Sequence, residues 1–207
     1  MKYLQQLQLH GSLRNPVSLH VNSENQVPGD AMITVDRELA LVAYGADEAL
    51  IAFWDHEKIG ICHAGWRGLA EGLVGAMALD FRGGDCYVSP FIHELPFMHD
   101  DCYAYLRRKF GAQYFREVGS GGPVFLFKKG LYSQLKGIKH MANDGRDTFK
   151  VEALASLRRN PESDRMQHLA IWRTADGNVK HKFFPPGEDF RAYFNVTPVP
   201  KLEVELA

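Results

Sequence analysis

The stretch His63-Ala64-Gly65-Trp66-Arg67-Gly68 decides the local fold, because it joins a strand pattern to a helix pattern. The run before it, residues 58–62, is short and apolar with β-branched positions, which is typical of a strand. In the run after it, residues 69–79, large apolar side chains recur at helical spacing. The stretch is therefore predicted to be a strand-to-helix turn, which directs free backbone N–H groups at whatever lies in front of it.

The side chains of this turn are candidates for a functional site. His63 is a possible metal ligand or acid–base group, and Arg67 is a possible anion-binding fork. Gly65 and Gly68 allow the backbone to come close to a ligand. Trp66 is either a stacking platform for a base or part of the core, and Arg67 is alternatively a surface cation.

Length and composition indicate one globular domain over residues 1–207. Hydrophobic residues make up 45% of the chain, and the net charge of −1 predicts no nucleic-acid partner and no anionic membrane partner. No apolar run approaches the roughly 20 residues that span a bilayer, and the N-terminus lacks a signal-peptide pattern. The three cysteines have no metal-finger spacing, so we expect a reducing, cytoplasmic setting.

The order of the predicted elements favours an α+β fold. Strands are predicted over residues 31–35, 39–44, 49–54, 86–89, 123–127 and 138–141, a hairpin over 169–174 and 179–184, and helices over 100–110 and 128–136. Strands and helices mix without the steady alternation that builds a parallel sheet. The residues after 185 are predicted to be an irregular tail.

Several segments together resemble one known family. The 63–68 stretch is similar to the signature of the laccase-domain proteins, once labelled multicopper polyphenol oxidoreductases and now understood as purine nucleoside phosphorylases with adenosine deaminase side activity. The other similar segments are residues 8–11, 29–34, 45–48, 89–92, 155–159 and 164–166. The resemblance spans roughly residues 8–173, which leaves 174–207 as a C-terminal hairpin and tail extension.

This resemblance implies a fold, an activity and a cofactor. The fold would be a mainly antiparallel β-sheet flanked by helices, and the substrates would be adenosine or inosine with phosphate. The active site would hold a zinc ion on two histidines and one cysteine, to activate water or polarise the substrate. In this chain His63 would bind the metal, Arg67 and the turn would hold phosphate, and Asp47 would orient the substrate.

The sequence departs from the family at the residues that carry the chemistry. His63 matches the first metal ligand, but the second falls on Leu95 and the third near Phe127 or Lys128. A leucine cannot bind a metal. Two further family cysteines correspond to Glu48 and Asp147, so most of the implied site is replaced.

Other residues offer ways to rebuild the site, each with a simpler alternative. His63, His93 and His99 form a chemically reasonable zinc set, although loop histidines are commonly solvated. Arg158 and Arg159 are candidates for anion binding or a solvated charge pair.

Two more groups are candidates for catalysis. Asp47 and Glu48 are either a general base and oxygen ligands or exposed acids after a strand. Cys62 beside His63 invites a nucleophile–base pair, but adjacent strand residues point to opposite faces, so Cys62 is predicted to lie in the core.

Three hypotheses follow. The chain is a purine nucleoside phosphorylase, or a catalytically inactive relative that binds a ligand or a protein partner, including another subunit of an oligomer. A metal-independent hydrolase is a weaker third possibility. Copper-dependent phenol oxidation finds no support in the spacing of histidines and cysteines.

Overall fold

The computed structural model describes residues 2–5, 18–20, 29–97 and 101–194, over which the chain forms thirteen strands, five α-helices and two short 3₁₀ helices. The strands are β1 (Lys2–Gln5), β2 (Ser18–His20), β3 (Ala31–Thr34), β4 (Leu39–Gly45), β5 (Ala49–Trp54), β6 (Ile59–Ala64), β7 (Asp85–Val88), β8 (Leu95–Pro96), β9 (Phe115–Glu117), β10 (Pro123–Phe125), β11 (His140–Asn143), β12 (Gln167–Arg173) and β13 (Val179–Phe184). The helices are α1 (Trp66–Ala70), α2 (Leu73–Asp80), α3 (Asp101–Phe110), α4 (Phe127–Gln134) and α5 (Phe190–Phe194). None of these helices is long and apolar enough to cross a membrane.

The largest sheet has six strands in the order β11-β7-β5-β6-β3-β2. Its four central strands pair antiparallel, while β11 and β2 add parallel strands at the two edges. In the pairing of β3 with β6, Ala31 lies opposite Cys62. This register brings the residue before β3 close to the end of β6, where the functional stretch begins.

A second sheet packs against one face of the first. Its order is β1-β4-β12-β13, with β12 antiparallel to both of its neighbours. Apolar side chains from both sheets, including Leu41, Leu50, Ile61 and Ile171, form a fully buried layer between them. A small three-stranded sheet, β8-β10-β9, lies outside this pair.

The helices cover the outer faces, so the protein is built in layers. The opposite face of the six-stranded sheet, carrying Ile51, Phe53 and Cys62, packs in one core with residues of α1 to α4. On the outer face of the four-stranded sheet, Trp172 and Phe184 belong to one buried cluster with Phe190 of α5. Alternating side chains of each central strand therefore enter different cores, which is the period-two pattern of a strand.

The predicted single helix over residues 69–79 is wrong, because the structure divides it. α1 ends at Ala70 and α2 begins at Leu73, with Gly72 between them at φ 83°. Glycine adopts this left-handed conformation at little energetic penalty, so it ends one helix and starts the next.

Most other predicted elements agree with the structure, including the mixed, mostly antiparallel architecture. The predicted hairpin corresponds to β12 and β13, whose register pairs Arg173 with Val179. The tail after residue 185 is not wholly irregular, because α5 forms there. The segment 8–11, the first residue of the predicted 100–110 helix and the end of the tail lie outside the described residues.

Candidate functional site

The predicted strand-to-helix turn is confirmed. His63 is the next-to-last residue of β6, and Gly65 precedes the first residue of α1, with its carbonyl accepting the N–H of Leu69 at 2.9 Å. A Cβ on Gly65 would lie 3.4 Å from Glu48 Cγ, so glycine lets this carboxylate-bearing side chain pack against the turn.

His63 lies between two carboxylates, an arrangement called here the His63 cluster, formed by Asp30, Glu48 and His63. Its Nδ1 is 3.5 Å from Asp30 Oδ1, and its Nε2 is 3.8 Å from Glu48 Oε2. The His63 backbone N–H also donates to the Asp30 carbonyl at 2.8 Å. Glu48 Oε2 in turn accepts the N–H of Ala46 at 3.0 Å, which fixes the carboxylate at the turn before β5.

The His63 cluster favours the charged forms of its members. Burial alone lowers the pKa of His63, but the interactions with Asp30 and Glu48 outweigh burial and raise this pKa to about 9. For Glu48, burial raises the pKa, yet His63 and the backbone N–H groups lower it to about 2. At neutral pH the cluster therefore holds a protonated imidazole, whose two ring nitrogens both carry protons.

A cleft of about 350 Å³ opens beside this cluster, and it is called here the Trp66 cleft. Its lining residues are Asp47, Glu48, Gly65, Trp66, Ile92, Leu95, Phe127, Leu157, Arg158 and Pro161. The volume lies within the roughly 300–1,000 Å³ range of small-molecule sites. The wall is largely apolar and aromatic, with a carboxylate and a guanidinium among the few polar groups.

The described residues do not fit a zinc ion in the Trp66 cleft. The positions that the family resemblance implies for the second and third ligands carry Leu95 and either Phe127 or Lys128. Leu95 and Phe127 are buried in the cleft wall, and Lys128 lines a second cavity. No group of three histidine, cysteine or acidic side chains that could hold a metal occurs among the residues with described placement. The remaining implied ligand, His63, lies 3.5 Å and 3.8 Å from two carboxylates that favour its protonated form, and a protonated imidazole has no lone pair for a metal.

Asp47 anchors a distant segment of the chain to the cleft. Its Oδ1 accepts the hydroxyl of Thr148 at 2.9 Å, and its Oδ2 accepts the backbone N–H of Arg158 at 2.9 Å. Burial raises the pKa of Asp47, and the hydrogen bonds from Ser156, Arg158 and Thr148 oppose this rise. Asp47 lines the Trp66 cleft, but both carboxylate oxygens already accept hydrogen bonds from the protein.

The turn residues differ in whether they face the cleft. Trp66 lines the cleft, and its ring packs edge-to-face against Tyr105 at a centroid distance of 6.1 Å. Arg67 is exposed, with its guanidinium 4.5 Å from the Trp66 ring centroid, and it does not line the cleft. Gly68 is buried, where a Cβ would lie 3.2 Å from Leu73 Cδ2.

The two arginines proposed as an anion site have different surroundings. Arg158 is half-buried and lines the Trp66 cleft. The guanidinium of Arg159 instead donates to four backbone carbonyls, those of Thr148, Phe149, Val151 and Leu154. Arg159 therefore fixes the loop that carries Arg158, and only Arg158 is available to a ligand in the cleft.

His93 does not join His63. Its Nδ1 lies 3.9 Å from Asp147 Oδ2, and its neighbours include Lys128 and Lys150 in a second cavity. Burial, followed by the charge of Lys128, lowers the pKa of His93. His99, the other proposed member of the zinc set, lies outside the described residues.

Cys62 lies in the core, as the alternation of strand side chains predicts. It is fully buried on the helix-covered face of β6, opposite to the face of His63, and burial raises the pKa of its thiol far above the usual range. A buried neutral thiol is a poor nucleophile, so the structure gives no support to Cys62 catalysis.

Two site residues were missed by sequence reasoning, and both depend on long-range pairing. Asp30 meets His63 because β3 and β6 pair in register, and Thr148 meets Asp47 across a sequence separation of 101 residues. Asp30 stands directly before a predicted strand and within the 29–34 segment that resembles the family, whereas Thr148 had no local signal.

Comparison with known proteins gives one family and several structures. The model of the family described as multi-copper polyphenol oxidoreductase laccase matches residues 3–173. The fold resembles protein NMB0706 of Neisseria meningitidis (21% identity, TM-score 0.66, covering 82% of this chain and 74% of that one). It also resembles hypothetical protein YfiH of Bacillus licheniformis (19% identity, TM-score 0.66, covering 81% of this chain and 73% of that one). A third similar structure is YlmD of Geobacillus stearothermophilus (21% identity, TM-score 0.62, covering 90% of this chain and 74% of that one). No curated protein is similar enough in sequence to match.

Proposed function

Because the chain belongs to the multi-copper polyphenol oxidoreductase laccase family, we propose that it binds a purine nucleoside in the Trp66 cleft without a zinc ion. The nucleoside class comes from the resemblance of the sequence to purine nucleoside phosphorylases. The metal-free mode of binding comes from the side chains of the cleft. On this proposal the protein is a ligand-binding relative that has kept the fold and lost the metal chemistry.

The single observation that carries the proposal is the pair Leu95 and Phe127 in the cleft wall. Both are almost fully buried, at 3% and 2% exposure, and both line the cleft together with Trp66. A wall of this kind favours the face of a heterocyclic base, because burial of apolar surface and ring stacking both stabilise it. Leu95 and Phe127 themselves offer no lone pair to a metal ion.

The polar groups of the cleft suit the sugar of a nucleoside. The Glu48 carboxylate remains ionised because its pKa is lowered to about 2, so it accepts hydrogen bonds from ribose hydroxyls. Arg158 supplies donors on the same cleft. A few polar groups around an apolar wall are the usual way in which a small-molecule site fixes orientation.

Calorimetric titration of the protein with adenosine and inosine tests this proposal. We expect saturable binding in the presence of excess chelator, weakened about tenfold or more by Trp66→Ala. Leu79→Ala, which removes an exposed side chain on α2 away from the cleft, is the matched control and should leave the affinity unchanged. No binding of either nucleoside, or equal binding by Trp66→Ala, would contradict the proposal.

Phosphorolysis without a metal is a second candidate, favoured by the presence of Arg158 and Glu48 in one cleft. A guanidinium there could hold phosphate beside the nucleoside. Release of free purine from inosine with phosphate, in the presence of chelator, would support this activity. We expect Arg158→Gln to abolish most of it and the exposed-site control Arg37→Gln to retain it.

A further inference from the structure

A second cavity, called here the lysine cavity, lies behind the Trp66 cleft. Its volume is about 390 Å³, and its walls include His93, Lys128, Lys129, Tyr132 and Lys150. Three lysines therefore line one cavity, although the Nζ of Lys129 donates to the Gln113 carbonyl at 2.9 Å, which leaves Lys128 and Lys150 as the ammonium groups without such a carbonyl bond among the described residues. The cavity is distinct from the Trp66 cleft, since the two have no lining residue in common.

The acidic groups at this cavity are already engaged. Glu94 pairs with Arg116, and Asp147 lies 3.7 Å from Lys150 Nζ. Lys128 forms no ion pair with any residue of the described ranges, and its Nζ lies 5.9 Å from the Tyr132 ring centroid. The balance of charge in the cavity is therefore positive.

The neutral groups of the cavity are hydrogen-bond donors. Burial raises the pKa of Tyr132, which keeps its hydroxyl protonated. The lowered pKa of His93 makes its imidazole neutral at pH 7, so the lysines alone supply the positive charge. The Lys128 backbone N–H donates to the His93 carbonyl at 3.1 Å, which joins the two walls of the cavity.

The two cavities lie on opposite sides of the same two segments. In residues 92–95, Ile92 and Leu95 line the Trp66 cleft while His93 lines the lysine cavity. In residues 126–128, Phe127 lines the cleft while Lys128 lines the lysine cavity. Successive side chains thus point to an apolar side and to a cationic side.

We propose that the lysine cavity binds the phosphate group of a small anion, either inorganic phosphate or a phosphate monoester. Lysine ammonium groups bind phosphate as point charges. Several such groups attract a phosphate dianion more strongly than they attract a singly charged carboxylate. A volume of about 390 Å³ accommodates a phosphate together with an attached sugar-sized group.

Calorimetry at constant ionic strength tests the site with three titrants: inorganic phosphate, ribose 5-phosphate and sodium chloride. We expect saturable binding of at least one phosphate compound and none of chloride. The double variant Lys128→Gln, Lys150→Gln should bind about tenfold or more weakly, while Lys180→Gln, an exposed lysine of β13, should bind as the parent protein does. Phosphate binding should also shift the side-chain NMR signals of His93.

The outcomes separate the source of the phosphate from the existence of the site. Equal affinity for both compounds would identify inorganic phosphate as sufficient for the site. Tighter binding of ribose 5-phosphate would identify a phosphate monoester as the ligand. The proposal is overturned by the absence of saturable binding, by binding that survives the double variant, or by equal loss in Lys180→Gln.

Discussion

At the scale of single residues, the pKa values of two histidines on the two packed sheets are shifted in opposite directions. His63 lies between Asp30 and Glu48, which raise its pKa to about 9. His168 on β12 packs 4.6 Å from the Phe190 ring and 6.1 Å from the Tyr44 ring, between centroids. Burial, with a contribution from the charge of Arg191, lowers the pKa of His168 to about 4.

The lowered pKa of His168 predicts acid lability of the fold. The unfolded chain takes up a proton near pH 6.5, whereas the folded chain does so only near pH 4, so the contribution to stability is complete above 6.5 and is lost as the pH falls toward 4. Urea denaturation at pH 7 and pH 4.5 should therefore show a smaller difference for His168→Gln than for the parent protein. His140→Gln, at an exposed position on β11, should keep the parental difference in stability between the two pH values. An equally large difference in His168→Gln would refute the assignment of the acid lability to His168.

Local residue patterns predicted the His63–Gly68 turn, because a strand period followed by a helix period is visible within one short window. They did not predict Asp30 as a partner of His63, since that contact depends on the register between β3 and β6. Nor could they separate Arg158 from Arg159, because only the folded loop determines which guanidinium faces the cleft and which donates to carbonyls.

At the scale of elements, Asp47 holds the segment that closes one side of the Trp66 cleft. Removing its carboxylate leaves the Thr148 hydroxyl and the Arg158 N–H without their acceptor. We expect Asp47→Ala to lower the free energy of unfolding by about 1–3 kcal/mol and to speed tryptic cleavage after Arg158. The exposed control Asp164→Ala should stay within about 0.5 kcal/mol of the parent protein, and similar behaviour of the two variants would contradict this role.

The packing around α2 is a second element-scale feature, because Gly60 of β6 faces its C-terminal end and Gly75 within it faces Gln134 of α4. A Cβ on Gly60 would lie 2.7 Å from Phe81 Cε2, whereas one on Gly75 within α2 meets only Gln134 at 3.8 Å. Gly60→Ala should therefore destabilise the protein by about 1–3 kcal/mol through overpacking. Gly75→Ala should stabilise it by about 0.5–1 kcal/mol through helix propensity, as measured by the same denaturation; equal signs would contradict the packing described.

Elements that form from neighbouring sequence were the predictable ones. The β12–β13 hairpin follows from the turn residues between its strands, with Gly177 at φ 84°. The parallel additions of β1 to β4 and of β11 to β7 join distant segments, and sequence periodicity carries no signal for such pairs. The break at Gly72 was missed because the apolar spacing continues through it.

At the scale of the whole molecule, the layers explain how one chain presents two unlike cavities. The six-stranded sheet is covered by helices on one face and by the four-stranded sheet on the other, so its central strands are fixed on both sides. The segments 92–95 and 126–128 then separate an apolar cleft from a cationic cavity. The family fold is thus combined with a cleft whose wall carries Leu95 and Phe127 at or near positions where the resemblance implies metal ligands.

The central claim is that the Trp66 cleft binds its ligand without zinc. Its most direct test is the zinc content of the protein purified without a histidine tag. The His63→Ala variant is measured beside it. We predict far less than one zinc per chain in both proteins, because Leu95 and Phe127 provide no ligand atoms. About one zinc per chain in the parent protein, lost in His63→Ala, would contradict the claim and would show that other residues complete a metal site around His63.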